Sequence, residues 1–299
     1  MVDAEATAPN RRRTHGVPLP LMMFQHPRIQ ALQTLVRDAV NAPAGAGRIA
    51  LALLAGLVCH LLFGAAILSM IYAMFHGLSR GLGHLPWPWA LAANLALILQ
   101  FPLMHSFLLS RRGSRLLAVM LPGAHGATLS TTVYATIASL QLLAMFWLWT
   151  PSGVIWWRAE GPALYLMTTV YALAFALLAK AIFDAGVELQ SGALGWLALL
   201  ADKAPRFPDM PTLGLFRLVR QPIYLAFACT LWTVPTWTPD QLALALLWSA
   251  YCVLAPRFKE ARFEQRYGER WRQYRQRTPY FLPRSTASAD RRRSAKVRD

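Results

Sequence analysis

Four stretches of this chain, at about 49–75, 87–110, 129–150 and 162–186, run almost without charge for more than 20 residues each. Crossing a hydrocarbon core of about 30 Å takes roughly 20 apolar residues in a helix, the form in which a segment satisfies its own backbone hydrogen bonds. Each stretch is long enough to cross. Two shorter apolar runs follow, at 222–237 and 240–256, on either side of TVPTWTPDQ, where Pro235, Pro239 and Asp240 predict a tight turn. Taken together they make a hairpin of two helices that crosses and returns. The expected fold is therefore all-α: a polytopic integral membrane protein with six spans, the last two forming a hairpin, plus interfacial helices. With 56% of its 299 residues hydrophobic and only 15% charged, the composition agrees.

The charge that remains is unevenly placed. Thirty Lys and Arg face 14 Asp and Glu, a formal balance of +16. The basic residues collect in both tails and in the linkers at 111–128 (Arg111, Arg112, Arg115) and 187–220 (Lys203, Arg206, Arg217, Arg220), while the alternate loops offer little beyond Arg80 and Arg158. Membrane lipids with anionic headgroups account for this pattern more simply than nucleic acid does. The positive-inside rule puts both termini and both basic linkers on the cytoplasmic side. Cys59, Cys229 and Cys252 all fall within apolar runs without CxxC or Cys/His spacing, so they read as small apolar packing residues, and no metal site or disulfide framework is expected.

The first 47 residues contain Arg11, Arg12 and Arg13 but no apolar core, so no cleaved secretory signal is expected there. Within them Ile29, Leu32, Val36 and Val40 recur at helical spacing and predict an amphipathic helix on the membrane surface. Near the other end, Phe263, Tyr267, Trp271 and Tyr274 fall on one stripe of a helix whose other faces are rich in arginine. Such a helix either lies at the interface or closes over a ligand there. A basic tail at 285–299 is expected to be disordered. No GxGxxG after a strand, P-loop, HExxH or GxSxG elbow is present, so any chemistry belongs to the membrane helices and their rims.

Polar residues at those rims are distinctive. GLFRLVRQPIYLAF precedes the proline-broken hairpin, Glu260 follows it, and RYGERWRQYRQRTPYFLP closes the segment. This order resembles the core of the integral-membrane methyltransferases related to isoprenylcysteine carboxyl methyltransferase, whose pattern is RHPxYxG, a helical hairpin, an acidic pair, FGxxYxxY and a closing VP or TP. Arg220, Pro222, Tyr224, Glu260, Gly268, Trp271 and Tyr274 fall at the matching places, with Tyr267 in place of the family phenylalanine. Upstream, LMHSFLLSRRG, the tyrosine-containing span that ends in GVIWW, and KAIFDAG are similar to segments of the bacterial methanethiol S-methyltransferase branch and its NnrU-like relatives. The likeness covers roughly residues 90–284. It divides the chain into an N-terminal segment (1–47), a membrane methyltransferase-like domain (48–284, with a donor-site core at 212–284) and the tail.

The resemblance implies S-adenosylmethionine as methyl donor, a bacterial inner membrane as location, and a small or lipophilic thiol as acceptor. An isoprenylcysteine carboxylate or a lipid amine is the neighbouring alternative, and a catalytically silent membrane protein that keeps the fold for sensing or assembly is the rival of another class. Arg220, Gln221, Tyr224 and Glu260 are the implied donor-binding residues. The chain departs from the pattern at Gln221 (family histidine), Ala226 (glycine) and Lys259 (the first acid of the pair). Glutamine keeps hydrogen-bonding capacity but carries no proton near neutral pH, and Lys259 reverses a charge that would attract a cationic donor. Pro222, suited to the first turn of a helix, is expected to direct the side chain at 221 out of the helix mouth. Thiols ionise near pH 8.5, so a base or a positive field helps form thiolate. Candidates for that work are His105, beside Ser106, and Asp184, one helical turn after Lys180 and on the same face. His60, in the first span, reads as a packing or oligomer-contact residue.

Overall fold

Proline and glycine set many of the boundaries in this chain. The computed structural model describes residues 27–121, 123 and 125–283. The first 26 residues, with Arg11 to Arg13, and the tail expected at 285–299 lie outside the described residues. The order is α1 (Pro27–Val40), α2 (Ala46–Phe75), α3 (Trp89–Leu108), α4 (Arg111–Val119), α5 (His125–Leu148), β1 (Trp157–Arg158), α6 (Gly161–Gln190), α7 (Ala193–Leu200), a 3-10 turn (Gly214–Arg217), α8 (Pro222–Trp232), β2 (Thr236–Trp237), α9 (Pro239–Tyr267) and α10 (Glu269–Arg277). Pro222 and Pro239 stand in the first turns of α8 and α9, where a missing N–H costs nothing.

Among the described residues, α2, α3, α5, α6 and α9 are the five helices long and apolar enough to cross a membrane. Leu53, Leu54, Leu57, Leu61 and Leu68 of α2 face outward, and Leu91, Leu95 and Leu103 do so on α3. Apolar surface of that extent needs lipid rather than water against it, and the protein is an integral membrane protein. The run expected at 222–237 is helical only to Trp232. Its 11 residues rise about 16 Å, short of a full crossing. Beyond it the chain turns, and Thr236–Trp237 pairs antiparallel with Trp157–Arg158. α9, by contrast, continues past residue 256, through Pro256, to Tyr267.

Gly268, at φ 52°, ends α9 and begins α10. The aromatic stripe expected on one helix is thereby shared between two, with Phe263 and Tyr267 on α9 and Trp271 and Tyr274 on α10. The rings still meet, Phe263 to Trp271 at 5.5 Å and Trp271 to Tyr274 at 5.6 Å.

Small residues let the helices approach, as lipid-embedded packing requires. Gly56 of α2 lies against the indole of Trp196, and Gly192 and Gly195 sit against α5 with no room for a Cβ. Thr132 fills the remaining space and donates to the carbonyl of Gly192 at 2.7 Å. Buried Trp248 organises the main core with Met74, Ile98, Met145, Leu231 and Leu244, its Nε1 donating to the Ile98 carbonyl at 3.0 Å. His60, whose Nδ1 lies 3.0 Å from the Gly56 carbonyl, packs edge-on to Trp196. α1 rests against α6 and α7, tethered by Asp38 to Lys203 at 2.8 Å. Ala39 is its buried residue, whereas Val36 and Val40 of the expected apolar stripe face away.

Candidate functional site

α6 bends at Gly186, whose φ of 110° is open to glycine and strained for other residues. Two residues earlier, Asp184 is only 2% exposed. Its carboxylate pairs with Lys180, as the spacing predicted, and accepts the N–H of Leu215 at 2.8 Å. Gly214, at φ 60°, packs so closely on that carboxylate that a Cβ would collide with it. Asp184 thus holds the 3-10 turn from which the chain runs into Arg220, Gln221 and α8.

At the mouth of α8 three sequence-predicted residues come together. Arg220 Nε donates to Glu260 Oε1 at 2.9 Å, and Gln221 Nε2 donates to the same oxygen at 2.8 Å. Lys259 Nζ donates to Gln221 Oε1 at 3.1 Å. Gln221 is 1% exposed and turned inward on Glu260, not out of the helix mouth. The reason is charge: Glu260 and Lys259, adjacent on α9, need one acceptor and one donor between them, and a primary amide supplies both at once. With Arg220 and Glu260 side chains only 11% and 13% exposed, each carries its partner's desolvation cost.

Tyr224 joins through Lys259. The ammonium lies 5.4 Å from the Phe263 ring, 5.5 Å from Phe216 and 6.0 Å from Tyr224, an arrangement in which ring faces attract a cation. Tyr224 in turn packs edge-on to Tyr251 at 6.5 Å, and the Tyr251 hydroxyl lies 3.3 Å from Ser106 Oγ. Next to Ser106, His105 reaches the Tyr134 hydroxyl, 2.7 Å from Nε2 and 2.9 Å from Nδ1. Through Ser106, the neighbour of His105, Tyr251 and Tyr224 connect this end of α3 to the mouth of α8. Tyr134, Tyr251 and Lys259's aromatic surroundings escape a reading by motif.

The segment after α10 straps this mouth. Arg220 N–H donates to the Pro279 carbonyl at 2.8 Å, and its Nη1 donates to the carbonyls of Thr278 at 2.7 Å and Arg275 at 3.2 Å. Tyr274 donates its hydroxyl to the Phe216 carbonyl at 2.7 Å. Burial pushes that phenol well above its ordinary pKa, so it stays a neutral donor. Arg220 also stacks on Tyr280 at 5.4 Å. A single arginine thus fastens α8, α9 and the C-terminal strap.

No family model matches the chain, and no solved structure does. Characterised proteins do. A methanethiol S-methyltransferase of Pseudomonas deceptionensis is 28% identical over 200 residues, 66% of this chain and 74% of its own. A second Pseudomonas methanethiol S-methyltransferase is 25% identical over 249 residues, covering 80% of this chain and 92% of its own. Mouse nurim is 30% identical over 184 residues, 56% of this chain and 65% of its own. The chain is thus similar to methanethiol S-methyltransferases and to nurim, and the motif order around Arg220 and Glu260 agrees with the isoprenylcysteine carboxyl methyltransferase-like branch of membrane proteins.

Proposed function

We propose that this protein is an S-adenosylmethionine-dependent membrane methyltransferase that acts on a small or lipophilic thiol. The observation that carries the reading is the convergence of Arg220, Gln221, Lys259 and Glu260 beside the rings of Phe216, Tyr224 and Phe263, in a chain related to methanethiol S-methyltransferases. In this reading α8 and α9 form a hairpin that completes six spans, 48–284 is one membrane domain whose core is 212–284, and the mouth of α8 faces the cytoplasm of a bacterial inner membrane. Val36 and Val40 of α1 then face the membrane surface.

The residues suit the cofactor in kind. A carboxylate and ring faces complement a sulfonium and an ammonium, and a guanidinium complements a carboxylate. When bound, S-adenosylmethionine supplies an electrophilic methyl group on a positively charged sulfur. Glu260 and Gln221 would hold its amino group or ribose hydroxyls, Arg220 its carboxylate, and Tyr224 would line the pocket and keep water out. In this reading His105, hydrogen-bonded to Tyr134, takes the proton of an acceptor thiol. Asp184, committed to Lys180 and Leu215 N–H, acts as a positioning residue that sets the turn before Arg220.

One observation favours the silent-scaffold reading: the Lys259 ammonium already sits among the three rings where a ligand's cation would gain most. Detergent-purified protein with isotope-labelled S-adenosylmethionine and acceptors from methanethiol to longer alkyl thiols and prenyl-cysteine analogues separates the two. Labelled thioether supports the enzyme. If neither the wild type nor the Gln221→His, Lys259→Glu double variant binds donor or methylates any acceptor, the silent scaffold stands, whereas rescue by the double variant alone would mean an active site decayed within an intact fold.

A further inference from the structure

Between the end of α3, the start of α4 and the last turns of α9 lies an open depression of about 320 Å³, lined by Leu109, Ser110, Ser114, Gln265 and the arginines Arg111, Arg262 and Arg266. We propose that it binds a phosphate ester, the headgroup phosphate of an anionic membrane lipid. Three guanidiniums converge there from two elements some 150 residues apart in sequence, yet among the described residues none lies within ion-pair distance of a carboxylate. Arg266 lies over the Tyr267 ring and feels Asp209 through space, but no described carboxylate bonds any of the three; like charges so gathered repel, and a phosphate relieves this, because guanidinium forks match phosphate oxygens in geometry.

The surroundings say where that phosphate comes from. Phe107, Leu116 and Phe258 are exposed apolar side chains on the same three helices, and Leu109 is another in the turn between α3 and α4. Leu109 lines the site itself, and Phe258 stands one helical turn before Arg262 on the same face of α9, so acyl chains have apolar surface to lie on while the headgroup meets the arginines. A free phosphate has no use for such a surface. Arg262 is also near enough to act through space on His105, Tyr251 and Lys259. Neutralising it with a phosphate therefore alters the field around these groups, whatever they do.

The full-length protein in nanodiscs tests this, with lipid retention read by native mass spectrometry. Wild type is expected to keep phosphatidylglycerol in preference to phosphatidylcholine. At roughly fivefold per arginine near a membrane surface, the R111Q/R262Q/R266Q variant should lose on the order of a hundredfold in that preference, while Arg158→Gln, at the opposite loop, should lose nothing. The unfolding midpoint in phosphatidylcholine discs checks the fold; should the triple variant unfold, R111Q/R266Q carries the test with about a 25-fold expected loss. Equal retention by variant and wild type, or no preference in the wild type, overturns the proposal. Displacement of the lipid by millimolar glycerol phosphate overturns the lipid assignment in favour of a free phosphate ester.

Discussion

The two ends of this helix bundle solve the same closure problem with different chemistry. At the β1–β2 end the loops are joined by neutral groups and one capped carboxylate. Trp157 pairs with Trp237, Thr238 caps α9 and donates to the Gly77 carbonyl, Asn94 bonds both backbone groups of Thr150, and Asp240 accepts from Ser152. At the α8 end the joints are charged: Lys180 with Asp184, Arg220 with Glu260, Lys259 on Gln221. Neutral joints close a loop at small desolvation cost, so buried charge is not needed merely to close one. Its concentration at one end is what the proposed donor site requires.

Glu260→Gln should break that contrast most severely. The change leaves Arg220 and Lys259 without their carboxylate, costing about 3–5 kcal/mol of stability and weakening S-adenosylmethionine binding roughly ten- to a hundredfold by calorimetry. Asp240→Asn, at the other end, should lower the unfolding midpoint and leave donor affinity unchanged. Equal, negligible effects on binding would place the donor elsewhere.

A matched pair of glycines sharpens it. Gly77 and Gly214 both adopt φ 60°, and a Cβ at either would strike a neighbour, the Thr236 carbonyl in one case and the Asp184 carboxylate in the other. Alanine at each should cost about 1–3 kcal/mol of stability by thermal unfolding. Only Gly214→Ala, through the turn before Arg220, should also weaken donor binding.

Smaller and opposite in sign is Lys259→Ala. Emptying the space among Phe216, Tyr224 and Phe263 should strengthen donor binding by about 0.5–2 kcal/mol, the range of a ring-face contact with a cation. A loss of affinity in calorimetry would instead make Lys259 part of the donor's own binding set.

The smallest effect concerns pH. The hydrogen bond from Lys203 holds the Asp38 carboxyl below its ordinary 3.8. A depressed carboxylate contributes stability that is present above its unfolded pKa and lost as pH falls through the folded one. Protection of the α1 amides, taken relative to their intrinsic exchange at each pH, should therefore fall only below about pH 4, with the Lys203→Met variant showing no such step.

The long apolar runs were legible because a membrane helix needs a continuous stretch of one kind, which shows in any window of about 20 residues. Pro222 was legible as a boundary for a similarly local reason, whereas the break at Gly268 was read through as part of one helix. The inward turn of Gln221 was not, since it depends on Glu260 standing 39 positions away and on the lysine beside it. Nor was the place of Asp184 beneath Leu215, or the strap that Arg220 makes with the carbonyls of Arg275, Thr278 and Pro279.

Sequence alone determined that this chain lives in a membrane as a bundle of helices, because period, length and hydropathy are properties of neighbours along the chain. Tertiary structure alone decided which charges answer one another. A salt bridge or an aromatic seat for an ammonium is fixed within a few ångströms between residues dozens of positions apart, and a linear pattern carries no record of that distance.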